Sequence, residues 1–177
     1  MGCSSVIETE PGHYFVVLET AQHKAGTLNL AGGGWDEQEM IKQCRSRETE
    51  EESGGLKTRP IGIAGIYEYF DERNRHRLQF HFVSEVVSGS LDELTPSEEH
   101  PWAGSLPFEQ IEDIYENGGL RSWRVFESIR RCHEGRVGDL GLLMTGSSPP
   151  AMPMLGEVPA LGDRTNGSQD LIELAVR

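Results

Sequence analysis

"GGGWDEQEMIKQCRSRETEEESGG" spans Gly32 to Gly55, and its second half sets Glu48, Glu50, Glu51 and Glu52 beside a single arginine, Arg47. Helix formers without proline run from Glu39 to about Ser53, and Gly54-Gly55 supplies a stop signal, so the stretch predicts a helix over 39–53. On that helix Glu48, Glu51 and Glu52 stand at i, i+3 and i+4, projecting from one face toward a common point. Like charges at this spacing repel, and carboxylates near a helix C-terminus oppose the helix dipole. The crowding makes sense if a cation belongs there. With no His or Cys among the glutamates to favour zinc, the expected ion is hard and oxygen-ligated, Mg2+ or Mn2+. A solvated glutamate run is the plainer alternative, because Glu favours helices and blocks of like charge commonly form surface.

The full spacing decides between them. Gly33 is followed after five residues by Glu39, after seven more by Arg47-Glu48, after two by Glu51-Glu52, and after one by Gly54. At ordinary residue frequencies a chance match of all these positions is on the order of one in a million. The pattern resembles the Nudix box, G-x5-E-x7-R-E-U-x-E-E-x-G-U, where U is a bulky aliphatic residue, and the chain is accordingly expected to be a Nudix hydrolase. A strand before "TLNLAGGGWDEQE", a hairpin after it and a proline-started helix after Trp102 follow the family's order over about residues 13–135. "LRSWRVFESIRRCHEG" is similar, more weakly, to the branch acting on thiamine diphosphate and nucleoside phosphates. The sequence departs from the pattern at Thr49 and Gly55, which take the two aliphatic positions. Ala31, Gln38 and Arg45 stand where proline, glycine and a small residue are frequent. Loss of side-chain burial at Thr49 and Gly55 is expected to weaken helix packing by roughly 2 to 4 kcal/mol if both sites face the core.

The resemblance implies an α/β fold, a mixed β-sheet sandwiched between helices with a loop-helix-loop catalytic motif. It implies Glu48, Glu51, Glu52 and a backbone carbonyl at Gly33 as metal ligands, Arg47 as the residue orienting a glutamate, and a diphosphate substrate cleaved by metal-activated water. Glu39 has two open readings, a second metal or a favourable charge at the helix start. For the general base, a box glutamate, Glu52 first, competes with Glu98 and Glu99 in "TPSEEHPW". Tyr67, Tyr69, Phe70 and Phe82 are aromatic candidates to stack on a heterocycle, and Arg77 could meet a phosphate. His13, His81 and His133 receive no catalytic role. The expected function is Mg-dependent cleavage of a small nucleoside di- or triphosphate. The alternatives are an ADP-ribose or nucleotide-sugar pyrophosphatase and a non-catalytic nucleotide-binding module of the same fold. Homodimers are common in the resembling family.

The rest of the chain sets bounds on these expectations. Its 177 residues suit one domain, and no apolar run approaches the roughly 20 residues that span a bilayer. A net charge of −13 repels long nucleic acid unless a local basic patch overrides it. Three cysteines without metal-ligand spacing and no signal-peptide pattern point to a reducing, cytoplasmic setting. "MGCSSV" departs from the myristoylation pattern at Val6. "HYFVVLET" (13–20) reads as a strand with residues 3–9 as its hairpin partner, close enough to residue 1 that a longer natural start is expected. Strands are expected at 61–70 and 77–87, the second with Leu78, Phe80 and Phe82 alternating against Arg77, Gln79 and His81. Helices are expected at 107–115 and 123–132. A catalytic domain over 1–137 is expected to give way to a flexible tail over 138–177, where "QDLIELAVR" could form a short helix.

Overall fold

The computed structural model describes residues 1–20, 24–91 and 100–143. The chain divides into one compact unit, Met1–Thr145, and a second, Gly146–Arg177, so "QDLIELAVR" lies outside the described residues. The strands are β1 (Gly2–Glu10), β2 (His13–Leu18), β3 (Leu28–Asn29), β4 (Ala31–Gly34), β5 (Lys57–Phe70), β6 (His76–Ser88) and β7 (Ala103–Pro107). The helices are α1 (Ile41–Glu52), α2 (Phe108–Glu116) and α3 (Trp123–His133). The sheet runs β3-β2-β1-β6-β5, with β4 added to β1 and β7 to β2. Among the described strands β1 and β6 pair in parallel and the other pairs are antiparallel, which makes the sheet mixed, as expected. Residues 138–143 lie past the expected domain boundary yet pack on the sheet, where Gly138 exchanges two backbone hydrogen bonds with Ile63.

β1 organises the whole. Cys3 to Ile7 are five consecutive buried residues, the pattern of a strand covered on both faces. Register then sorts the side chains by parity. Gly2 and Ser4 sit beside Gln79 and His81 on β6, which in turn sit beside Tyr67 and Gly65 on β5; Arg77 pairs with Tyr69 further along. Cys3 and Ser5 sit beside Phe80 and Phe82 on the opposite face. The first face meets α3, where Val6, Val125 and Ile129 are buried in one cluster. The second meets α1, with Cys3, Cys44, Ile41 and Phe82 packed together.

The departures from the box have a structural answer. Thr49 is fully buried, and its hydroxyl pairs with Ser5 Oγ at 2.8 Å. Arg45 is also buried; its guanidinium donates to Thr58 Oγ1 at 2.7 Å, Thr58 O at 3.0 Å and Ser84 Oγ at 3.1 Å. Polar side chains on α1 thus meet matching hydroxyls on the strands. Gly55 does not face the core: it is exposed with φ +120°, and the next residue, Leu56, is buried against Ile7, Phe15 and Val17. The expected packing loss at Gly55 is therefore corrected, because the burying residue is displaced by one.

Thr49→Val keeps the shape and removes the hydroxyl, so it is expected to cost about 1 kcal/mol in denaturant unfolding. Adding Ser5→Ala should recover part of that loss, and a strictly additive double variant would contradict the pairing.

Candidate active site

α1 begins without a Ser, Thr, Asp or Asn cap; Gln43 Oε1 instead accepts the Met40 N–H at 2.8 Å. It ends where Gly54, at φ +67°, turns the chain out. Between these ends Arg47 gathers the acidic groups. Its Nε and Nη2 each donate to Glu39 at 3.0 Å, a two-pronged pairing, while Nη1 donates to Glu48 at 2.9 Å and to Glu51 at 3.2 Å. Nη2 also reaches Gly34 O at 3.2 Å and stands 3.4 Å from Asp36. Glu39 precedes α1, and the hydrogen bonds from Arg47 hold its carboxyl below the usual range. Burial pushes the Glu48 carboxyl up against the pull of Arg47, and Glu52 and Glu51 add to the rise.

Glu52 is held separately. Its Oε2 accepts the Gly32 N–H at 2.8 Å, and its Oε1 lies 3.1 Å from His100 Nε2. That contact is the main reason the His100 imidazole is raised to about 9. Sequence reasoning missed His100; the clue was its place directly after Glu98-Glu99, which drew the attention and lie outside the described residues.

Glu48, Glu51 and Glu52 do not converge on a common point. Among the described residues no three His, Cys, Asp or Glu side chains are gathered as a cation cage. Glu48 and Glu51 turn to Arg47, and Glu52 turns to His100. The donor set nonetheless suits a hard divalent ion: all oxygens, with Glu48 and Glu52 only 13% and 14% exposed and Glu51 at 60%. Gly33 fits the same purpose, since a Cβ there would lie 2.4 Å from Glu48 Oε2. Only glycine lets this backbone approach the carboxylate.

Glu52 and the 32–34 loop form one side of a cavity of about 940 Å3, which runs across the sheet face carrying Arg77, Gln79 and His81. Tyr69 and Arg77 line it; Arg77 Nε is tied to Asp71 Oδ2 at 2.9 Å. Phe82 does not line it. It is fully buried beneath α1, because its parity in β6 is opposite to that of Arg77 and His81. Tyr67 is also turned inward, its hydroxyl 2.8 Å from Ser128 Oγ, while Phe70 is exposed at the cavity edge. Residues missed from the sequence are Gln79, His81 and Arg124, whose guanidinium lies 3.8 Å above the Tyr69 ring.

Comparison with known proteins gives the class. The NUDIX domain family model matches residues 2–127. The chain belongs to the Nudix family and is a hydrolase of pyrophosphate bonds. A NUDIX hydrolase from Nitrosomonas europaea aligns with a TM-score of 0.72 at 26% identity, over 84% of this chain and 97% of that one. Two others show the shared fold alone. A MutT protein from Methanosarcina mazei Go1 has TM-score 0.59 and 22% identity over 76% of this chain and 92% of its own. An ADP-ribose pyrophosphatase from Streptococcus suis 89-1591 has TM-score 0.56 and 18% identity over 76% and 90%. Comparison with curated proteins finds no match. No described helix is long and apolar enough to cross a membrane.

His81 offers a pH test of the cavity face. Burial, helped by Arg124, lowers its imidazole to about 3. Because the folded value lies below the unfolded one, stability is whole above about pH 6.5 and falls as pH drops from there toward 3. The expected slope from this group approaches 1.4 kcal/mol per pH unit at most. His81→Gln should flatten unfolding free energy against pH between about 4 and 6, and an unchanged slope would count against a buried neutral ring.

Proposed function

We propose that the chain is a Mg2+-dependent pyrophosphohydrolase cleaving a phosphoric anhydride bond of a small nucleoside di- or triphosphate or related diphosphate, with Mn2+ as a workable substitute. The observation that carries this reading is that a single cavity is lined both by Glu52 and the glycine loop and by Tyr69 and Arg124. One molecule can then offer its phosphates to the first group and its heterocycle to the second.

Glu48, Glu51, Glu52 and the Gly33 carbonyl are the residues that would hold the metal. A divalent ion there neutralises phosphate charge and lowers the pKa of a coordinated water. Glu52 is the proposed base: among the described residues each of its oxygens has one protein partner and keeps a lone pair, one of which can take the proton of the attacking water. His100 and the Gly32 N–H fix the orientation of that carboxylate. Arg47 fixes Glu48 and Glu51 in the same way, and its planar fork is not replaceable by a lysine point charge. Arg77 stands at the cavity wall as a candidate phosphate contact. The reaction adds the water oxygen to one phosphorus and leaves the departing phosphate or diphosphate with the bridging oxygen.

A second reading, an ADP-ribose or nucleotide-sugar pyrophosphatase, is favoured by the room in the cavity, since about 940 Å3 admits a ligand larger than one nucleotide. The products separate the two: inorganic phosphate or diphosphate in one case, AMP and a sugar phosphate in the other.

With Mg2+ and a panel of nucleoside phosphates, ADP-ribose and thiamine diphosphate, Glu52→Gln is expected to lower kcat by about 100-fold or more while the fold is retained. Arg47→Lys should lower it by roughly tenfold. Full turnover in a Glu51→Gln, Glu52→Gln double variant would refute the mechanism. A folded wild-type chain that binds nucleotides but releases no product with either metal would instead be a binding module.

A further inference from the structure

The turn between β5 and β6 makes one end of the cavity basic. Asp71 follows β5 directly, and Arg73, Arg75 and Arg77 come after it at alternate positions, all four lining the cavity. Both oxygens of Asp71 are fully used. Oδ1 accepts the backbone N–H groups of Arg73 and Arg75, each at 3.0 Å, and Oδ2 accepts Arg75 Nε and Arg77 Nε, each at 2.9 Å. These bonds, led by the one from the Arg75 N–H, hold the carboxyl below its usual range, so it stays ionised. Two guanidinium groups thus share one carboxylate, and a third, that of Arg73, has none within 4 Å among the described residues. Glu72 in the same turn is matched by Lys24 at 3.8 Å. Four cations, Lys24, Arg73, Arg75 and Arg77, stand against two anions, Asp71 and Glu72, a surplus of two positive charges.

The donors that Asp71 leaves over can be reached from the cavity. Arg77 is tied through Nε, and its Nη1 and Nη2 form a fork with no partner among the described residues; Arg75 keeps Nη1. The Arg77 and Arg75 side chains are 35% and 53% exposed, and none of these terminal nitrogens is enclosed. Such a fork matches two oxygens of one phosphate. Capping the turn accounts for Asp71 and the N–H groups it accepts, but not for the open fork of Arg77 or for the unmatched charge of Arg73. The place is remote from the glycine loop. Gly33 pairs with Cys3, and Cys3 with Phe80. Arg77 lies three residues further along β6, roughly 10 Å, and two strands over, roughly another 10 Å. Asp71 lies two residues beyond Tyr69, the cross-strand partner of Arg77, so the bond to Nε draws the guanidinium toward the turn and away from the loop. Two phosphoryl groups joined by one bridging oxygen cannot span both places.

We infer that the Arg77 fork, flanked by Arg75 and Arg73, is a second anion subsite that takes a phosphate monoester on the nucleoside part of the substrate, at the 2′ or 3′ oxygen of its ribose. This deepens the proposed function and rests on its placing a nucleotide in this cavity. The substrate class it selects is a nucleotide phosphorylated at both ends, with the scissile anhydride on the 5′ side at the glycine loop and the monoester at the turn. Tyr69, directly across from Arg77 and covered on one face by Arg124 at 3.8 Å, puts the aromatic contact for the base beside the fork. A phosphate monoester carries close to two negative charges at neutral pH, which answers the surplus of two. A cavity of about 940 Å3 has room for a nucleotide enlarged by one phosphate.

The test uses binding, so that it is independent of turnover. With the full chain and Mg2+, calorimetry is run with the 5′-monophosphates of adenosine and guanosine, their 2′,5′- and 3′,5′-bisphosphates, and inorganic phosphate; none of these carries an anhydride to be cleaved. The expected result is that a bisphosphate binds at least about tenfold more tightly than the monophosphate with the same base. Arg77→Gln should bring that bisphosphate down to the level of the monophosphate. Bisphosphates that bind no better than monophosphates, or a preference that survives Arg77→Gln, would overturn the inference. So would an Arg77→Gln loss that extends equally to the monophosphates, which would make Arg77 a contact of the 5′-phosphate. Inorganic phosphate that binds as tightly as the bisphosphates would overturn it too, by making the place a site for the free ion. Should Arg77→Gln fail to fold, an Arg73→Gln, Arg75→Gln double variant on the neighbouring exposed side chains decides. It should lower the preference at least about threefold, and an unchanged preference refutes the subsite. A preference for bisphosphates in a chain that cleaves no anhydride would leave this subsite standing while the proposed function falls. Cleavage of nucleoside diphosphates without any such preference would do the reverse.

Discussion

The site depends on one cation, Arg47. Five carboxylates, those of Asp36, Glu39, Glu48, Glu51 and Glu52, are brought to one end of the sheet, and Arg47 lies within 4 Å of four of them. Without it α1 would carry Glu48, Glu51 and Glu52 against one another at a helix end whose dipole already opposes them. Arg47 also ties the helix to the loop through Gly34 O and to the residue before the helix through Glu39. A single guanidinium thus couples loop, helix start and helix end. A lysine at this position could approach only part of the set at once, because its charge is a point and its donors share one nitrogen.

The second constraint is the double burial of β1. A strand covered on both faces forces its neighbours to divide their side chains cleanly, and here the division separates two tasks. The α1 side carries packing: Phe82, Cys3 and Cys44, with polar seams at Thr49 to Ser5 and Arg45 to Thr58. The α3 side carries the cavity: Arg77, Gln79 and His81 line it. Gly32 sits where the two tasks meet, since a Cβ there would lie 2.2 Å from Cys3 O. The loop must therefore hug β1 for its N–H to reach Glu52.

How much of this was legible follows the same division. The glutamate spacing was readable because helix periodicity and box spacing are both local, and the strands of the β5–β6 hairpin were readable from alternating polarity. The alternation in β6 was visible too, yet Phe82 was assigned to the site by its chemistry while its parity placed it with Leu78 and Phe80. Parity was the better guide, because in a strand it is geometric. His100 and Arg124 were not legible, since each acts on residues remote in sequence: His100 on Glu52, and Arg124 on Tyr69. The short strands β3, β4 and β7 gave little signal either; β4 is Ala-Gly-Gly-Gly and pairs only because β1 lies alongside. The compensation of Thr49 by Ser5 spans 44 residues and could not be read from the box.

An apparent conflict in the charge is resolved locally. The chain has 29 acidic and 16 basic residues, a balance that repels phosphate-rich ligands. The cavity reverses it: Lys24, Arg73, Arg75, Arg77, Arg121 and Arg124 line it, against Glu19, Glu52, Asp71 and Glu72. Arg121 meets Glu19 and Lys24 meets Glu72 one to one, while Arg75 and Arg77 share the single carboxylate of Asp71 and leave one positive charge over. Arg73, exposed, and Arg124, half-buried, add to it, since neither has a carboxylate within 4 Å among the described residues. A local basic surplus of this kind offsets the repulsion that an acidic protein exerts on a compact anion more readily than on a long polyanion, whose remaining charges would lie along the acidic surface outside.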